Sequence, residues 1–117
     1  MTKSDRIWSM LFLLSAANSN NRDTFFNEIS KTGTLKEQYN QHYEKAVQDE
    51  DCTLDTNVRK NAWLLGLRGS KPINYGKDPE YDYIYDVALS FREYVEKLLE
   101  FKSDLEIARL YKKMAVL

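Results

Sequence analysis

Residues 78–101 read DPEYDYIYDVALSFREYVEKLLEF, and this stretch decides the fold. Asp78 is placed to cap a helix, and Pro79 suits its first position, where a missing N–H is no loss. Wound at the helical period, Tyr81, Ile84, Val87, Ala88, Phe91, Tyr94, Val95, Leu98 and Leu99 fall in one stripe about 140° wide. A long apolar stripe with a solvated back predicts a helix over 79–101, packed against other helices. Glu93, Glu96 and Glu100, with Arg92 and Lys97 among them, fall on that back. A solvated face explains them better than a carboxylate metal site.

Working outward, RGSKPINYGK (68–77) reads as a loop, with Gly66 and Gly69 ending the preceding helix and Gly76 making a turn. That helix is capped by Asp55 or Thr56 and carries Val58, Ala62, Trp63, Leu64, Leu65 and Leu67. On the other side, Ser103 with Glu106 forms a capping box for a helix over 104–115. Its apolar end (Met114, Ala115, Val116 and Leu117) packs on the core or on a second copy. Further upstream, Gly33 separates a helix over 21–32, with Phe25, Phe26 and Ile29 inward, from one over 35–49. Thr34 and Glu37 are placed as the capping box of the latter, whose apolar face is Leu35, Tyr39, His42, Tyr43 and Ala46. Residues 4–17 hold Ile7, Trp8, Met10, Leu11, Phe12, Leu13 and Leu14 around the whole cylinder, so this first helix is expected to be buried on all sides. The expected fold is all-α: a single-domain bundle of five or six helices over 1–117 with a buried N-terminal helix.

Composition agrees. The chain has 117 residues, 43% of them hydrophobic, a net charge of −1, one Cys and one His. Such a chain fits one domain and buries roughly two-thirds of its surface. Cys52 has no partner, so an internal disulfide is excluded. MTKSDR followed by IWSMLFLLSAA has the outline of a secretory signal, but Asp5, Ser9 and Ser15 break it. The run is also shorter than the roughly 20 residues of a membrane span. A cytoplasmic protein with no membrane contact is the expectation.

The neutral total hides a pattern. Residues 49–55 carry four acids and no base, 59–77 five bases and no acid, and 78–86 four acids and no base. Catalytic inventory is thin. His42 reads as a satisfied core residue. Cys52 stands among Asp49, Glu50, Asp51 and Asp55, which disfavour the thiolate. No metal, phosphate-loop or dinucleotide spacing occurs. Gly69-Ser70-Lys71 has the makings of a weak anion cradle. The expectation is a non-enzyme with no metal and no cofactor.

The most unusual local feature is the alternation of Tyr81, Tyr83 and Tyr85 with acids. Winding sends Tyr81 inward and leaves Tyr83 and Tyr85 sideways or outward. Exposed tyrosine beside carboxylate is interface chemistry, although acids in a first turn also serve the helix dipole. The expected partner-binding surface is Asp51, Asp55, Tyr75, Glu80, Asp82, Tyr83, Tyr85 and Asp86, with Asn74 beside Tyr75 and with Arg68, Lys71 and Lys77 as an adjoining basic loop. The expected partner is another protein: a toxin or nuclease whose cationic active-site cleft is occluded, as a small inhibitor or immunity protein would occlude it. The competing expectation is a nucleic-acid-binding regulator, with the helices flanking Gly33 outlined as a helix-turn-helix and Lys36, Asn40 and Gln41 facing the bases. The −3 charge of residues 1–58 opposes that reading.

Overall fold

A computed structural model describes residues 2–115; the packing expected of Val116 and Leu117 lies outside them. The protein is all-α, as the periodicity predicts: α1 (Lys3–Ala16), α2 (Ser19–Ile29), α3 (Thr34–Val47), α4 (Thr56–Arg68), α5 (Pro79–Glu100) and α6 (Asp104–Ala115), with no strand among the described residues.

Most helix ends follow from their residues. The Asp78 carboxylate accepts from the Glu80 and Tyr81 N–H groups at 3.0 and 3.3 Å and starts α5. Asp55 does the same for α4 through Asn57. Ser103 and Glu106 exchange their two capping bonds at α6. Gly69, at φ 71°, closes α4: its N–H reaches Gly66 O, and that of Ser70 reaches Leu65 O. Those N–H groups are spent on the helix end, so Gly69-Ser70-Lys71 is no anion cradle. Thr34 is the first residue of α3 rather than its cap. Its hydroxyl bonds that of Thr32 at 2.8 Å, and the Glu37 N–H goes to Gly33 O.

The contacts divide the chain into two units. The first comprises Met1–Glu37 and Tyr94–Leu117. Here α1 packs chiefly on α6 and also on α2, which in turn meets α6. Its buried residues include Met10, Leu11, Leu14, Phe25, Phe26, Leu35, Val95, Leu99 and Ile107. The Lys3 ammonium donates to the carbonyls of Glu100 and Lys102, fastening the start of α1 near the end of α5. The first helix is buried on one side only. Ile7, Met10, Leu11 and Leu14 are covered, while Trp8 and Phe12 are 57% and 42% exposed with their rings stacked. An apolar circumference made complete by two aromatic rings does not oblige the fold to cover them.

The second unit is Gln38–Glu93. Its core is aromatic. Tyr39 packs edge-on against Trp63 and Phe91 at 5.6 and 5.4 Å, and the Trp63 indole N–H donates to the Tyr39 hydroxyl at 3.2 Å. That hydrogen bond gives the two polar atoms carried into the core a partner. The Arg59 guanidinium donates to the carbonyls of Val47, Asp49 and Leu54, closing the C-terminal end of α3.

α5 differs from the prediction in one systematic way. Its buried residues are Tyr81, Ile84, Tyr85, Ala88, Phe91, Arg92, Val95 and Leu99. This set is turned by about 50° from the stripe that apolarity defines. Tyr85 and Arg92 go in; Tyr83 and Tyr94 stay 45% and 46% exposed. The cause is Gly66. A Cβ there would stand 2.5 Å from Ala88 Cβ and from Tyr85 O, so the α4 backbone lies directly against α5. Tyr85 and Arg92 flank Ala88 by three and four residues along the same helical face and are covered with it. Gly66 is therefore an interhelical contact point inside α4, not its terminator. Arg92 is not part of a solvated face: it is 8% exposed and donates to Leu67 O at 2.7 Å.

Candidate functional site

Three of the expected residues, Asp51, Glu80 and Tyr83, line one cavity of about 240 Å³ in the second unit. Its other walls are Ala46 and Asp49 from the end of α3, Cys52, and Pro79 and Ile84 from α5. Tyr83 is also in the wall of a second cavity, about 480 Å³, with Gln41, His42, Lys45, Val87 and Ser90. The two share that ring and together make a groove between α3 and α5. One end is acidic (Asp49, Asp51, Glu80); the other carries Lys45 and His42. Positions 80, 83, 87 and 90 line it from α5 at helical spacing, and 41, 42, 45 and 46 line it from α3.

Within the groove the carboxylates differ. Glu80 accepts from the Thr53 N–H at 2.8 Å and from the Thr53 hydroxyl, and these bonds hold its pKa below the ordinary value. Asp49 accepts from the Asp51 N–H at 2.9 Å. The Asp51 carboxylate has no hydrogen-bond or ion-pair partner among the described residues and is exposed. Burial raises the Cys52 thiol pKa, with the Glu80 carboxylate acting in the same direction. A thiol so placed stays protonated and is a weak nucleophile.

The rest of the expected surface has a different use. Tyr75, Asp82, Tyr85 and Asp86 come together, but as a strap holding residues 70–77 on α5. The Tyr75 hydroxyl donates to Asp86 at 2.7 Å, and that bond pushes the phenol pKa up to about 12. The Gly76 N–H, at a φ of 94°, donates to the second carboxylate oxygen of Asp82 at 2.9 Å. The other Asp82 oxygen is buried without a partner. Tyr85 is 3% exposed, its ring edge-on to Tyr75 at 5.4 Å, and its phenol pKa is raised chiefly by burial. Tyr85 therefore cannot fill a pocket on a partner, and Asp82 cannot be offered to a cationic cleft. Asp55 is exposed but serves as the α4 cap.

Of the basic loop, Lys71 lies 4.4 Å over the Tyr75 ring, Lys77 is exposed and Arg68 is half-buried in the last turn of α4. Lys36 pairs with Asp23 at 3.1 Å; Asn40 and Gln41 are exposed, and Gln41 belongs to the groove. His42 is exposed, not a core residue; its ring nitrogen Nδ1 bonds Gln38 O at 2.6 Å. Sequence reasoning missed the α3 wall of the groove, which Gln41, His42 and Lys45 form as three exposed residues of one helix face. Among the described residues no three His, Cys, Asp or Glu side chains gather as a metal site, and no helix is long and apolar enough to cross a membrane. In comparisons with known proteins, no family model, curated protein or solved structure matches this chain.

Proposed function

We propose that this protein is a non-catalytic protein-binding module, an inhibitor of the immunity-protein kind, that docks through the α3–α5 groove. Its target is a basic, nucleic-acid-acting toxin or enzyme whose cationic cleft the acidic end of the groove covers. The observation that carries this reading is Tyr83, 45% exposed between two cavities and beside the free carboxylate of Asp51. Tyrosine supplies rigid amphipathic contact area, and neighbouring carboxylates steer a cationic partner. Helix stability does not account for Asp49 and Asp51. They follow the C-terminus of α3, where the helix dipole disfavours negative charge. The Asp51 carboxylate, with no partner among the described residues, fits a role toward something outside the chain.

The test is a capture from the source cell followed by titration calorimetry with the captured protein. Tyr83→Ala is expected to weaken binding about thirtyfold or more, the level of an interface hot spot. Asp51→Asn is expected to slow association and flatten its salt dependence. An unchanged dissociation constant in Tyr83→Ala would sink the proposed surface. A low-salt gel shift in which the protein retards nucleic acid directly would replace it with the regulator reading.

A further inference from the structure

The first unit carries a cavity of its own, differently charged from the groove. It measures about 310 Å³ and is lined by Glu28 from α2, by Lys102, and by Glu106, Arg109, Leu110 and Lys113 from α6. Two of its three cations are held by carboxylates of the chain: Lys113 by Glu28, and Lys102 by Glu106 at 3.8 Å. Arg109 has no ion pair or hydrogen bond among the described residues and is exposed. Leu110 is 7% exposed and supplies an apolar element of the wall. The Glu28 carboxylate also feels Lys31 and Lys102, so four cations bear on this region against two acids.

From this arrangement we propose that the α2–α6 cavity is a binding site for a phosphate monoester, with the phosphate on Arg109, Lys102 and Lys113 and the organic part over Leu110. A guanidinium matches two phosphate oxygens at once, and the two ammonium groups act as point charges. The Glu28 carboxylate is the internal stand-in for the ligand's charge. Exchanging it costs little, because an exposed ion pair is weak and the released carboxylate returns to water: the Glu28 and Lys113 side chains are 47% and 49% exposed. The cavity volume lies at the lower end of small-molecule sites, so a small ester fits and a nucleic-acid backbone is not required.

The experiment is an NMR titration of the full chain with phenyl phosphate and, separately, inorganic phosphate, both against sodium chloride of equal ionic strength. Phenyl phosphate is expected to shift the backbone signals of 106–113 saturably and to bind more tightly than inorganic phosphate. Arg109→Ala is expected to weaken binding about tenfold to a hundredfold, the worth of charge-assisted bonds to the anion. Glu28→Gln is expected to tighten it about twofold to fivefold, because it removes the competitor. Both positions are exposed, so both variants should fold, and the retained spectrum checks this. Shifts no different from those in sodium chloride, or a Glu28→Gln variant that binds no tighter, would overturn the site. Equal affinity for the two phosphates would overturn the ester and leave free phosphate as the ligand.

Discussion

Residues 49–55 and 78–86 each carry four carboxylates, and the fold treats the two sets unequally. In 78–86, Asp78, Glu80, Asp82 and Asp86 each accept a hydrogen bond from the chain: from the first turn of α5, from Thr53, from Gly76 and from Tyr75. In 49–55, Asp49 and Asp55 make short local caps, while Glu50 and Asp51 carry carboxylates with no partner among the described residues. Helix polarity explains the Asp78 part of the difference; Glu80, Asp82 and Asp86 are held instead by Thr53, Gly76 and Tyr75, which the fold lays against α5. The start of a helix presents N–H donors that a carboxylate satisfies; the end presents carbonyls that it does not. Beyond α3 the carbonyls are taken by Arg59, and the acids there are left to face solvent. Equal density of charge thus marks fold support at one end of a helix and an available surface at the other.

The largest contrast lies inside 78–86 itself, between the exposed Tyr83 and the buried Tyr85. Tyr85→Ala is expected to cost about 3–5 kcal/mol of stability, as large-to-small changes in a packed core do. Tyr83→Ala should stay within about 0.5 kcal/mol, as exposed positions do, while losing partner binding. Urea denaturation with both variants decides it. Near-equal losses of stability would show that Tyr83 is also fold support.

Gly66 comes next. Alanine is normally the better helix former by about 1 kcal/mol. Here its methyl meets Tyr85 backbone oxygen, which cannot move without α5, so Gly66→Ala is expected to destabilise by about 1–3 kcal/mol. A thermal melt showing a gain in stability would mean that α4 and α5 stand further apart than described, and the cause given for the burial of Tyr85 would fall with it.

The acids themselves give a smaller effect. Asp78→Ala should cost about 1 kcal/mol, the worth of a helix N-cap. Asp51→Asn should be neutral or slightly stabilising, because it removes a charge from the negative end of α3. Chemical denaturation of the two variants side by side measures the contrast, and equal costs would erase the distinction between the two acidic stretches.

These contrasts also mark what was legible beforehand. The helices and most of their caps were, because Asp55, Asp78, Ser103 with Glu106, and Gly69 act within four residues of their own position. Tyr83 was legible as an outward ring. The burial of Tyr85 and Arg92 was not, because it depends on how closely α4 approaches, and that distance is set by a glycine some twenty residues away. Hydrophobicity points a helix roughly at its core; steric fit at Gly66 sets the final rotation. The exposure of Trp8 and Phe12 was hidden for a related reason: periodicity shows how many sides of a helix are apolar, not how many neighbours arrive to cover them. The α3 wall of the groove escaped because Gln41, His42 and Lys45 look like any solvated face until α5 is set beside them.

The finest test concerns the strap. Donation to Asp86 raises the Tyr75 pKa from 10 to about 12 in the folded chain. A group whose folded pKa is raised contributes its full stabilisation below the unfolded value. For Tyr75 that contribution is present up to about pH 10 and disappears as the pH climbs toward 12. Glu80 runs the other way. Its folded pKa is depressed by Thr53, so its contribution is present above the ordinary carboxylate range and fades as the pH falls through the lowered value. The Tyr75 ring-carbon shift, followed by NMR with alkali, should therefore titrate late in the native chain and earlier in Asp86→Asn, which removes the largest cause of the shift and leaves the smaller effects of burial and Asp82. Titration near 10 in the native chain itself would show the strap open in solution. Asp86, and Asp82 with it, would then join Glu50 and Asp51 as carboxylates left for a partner.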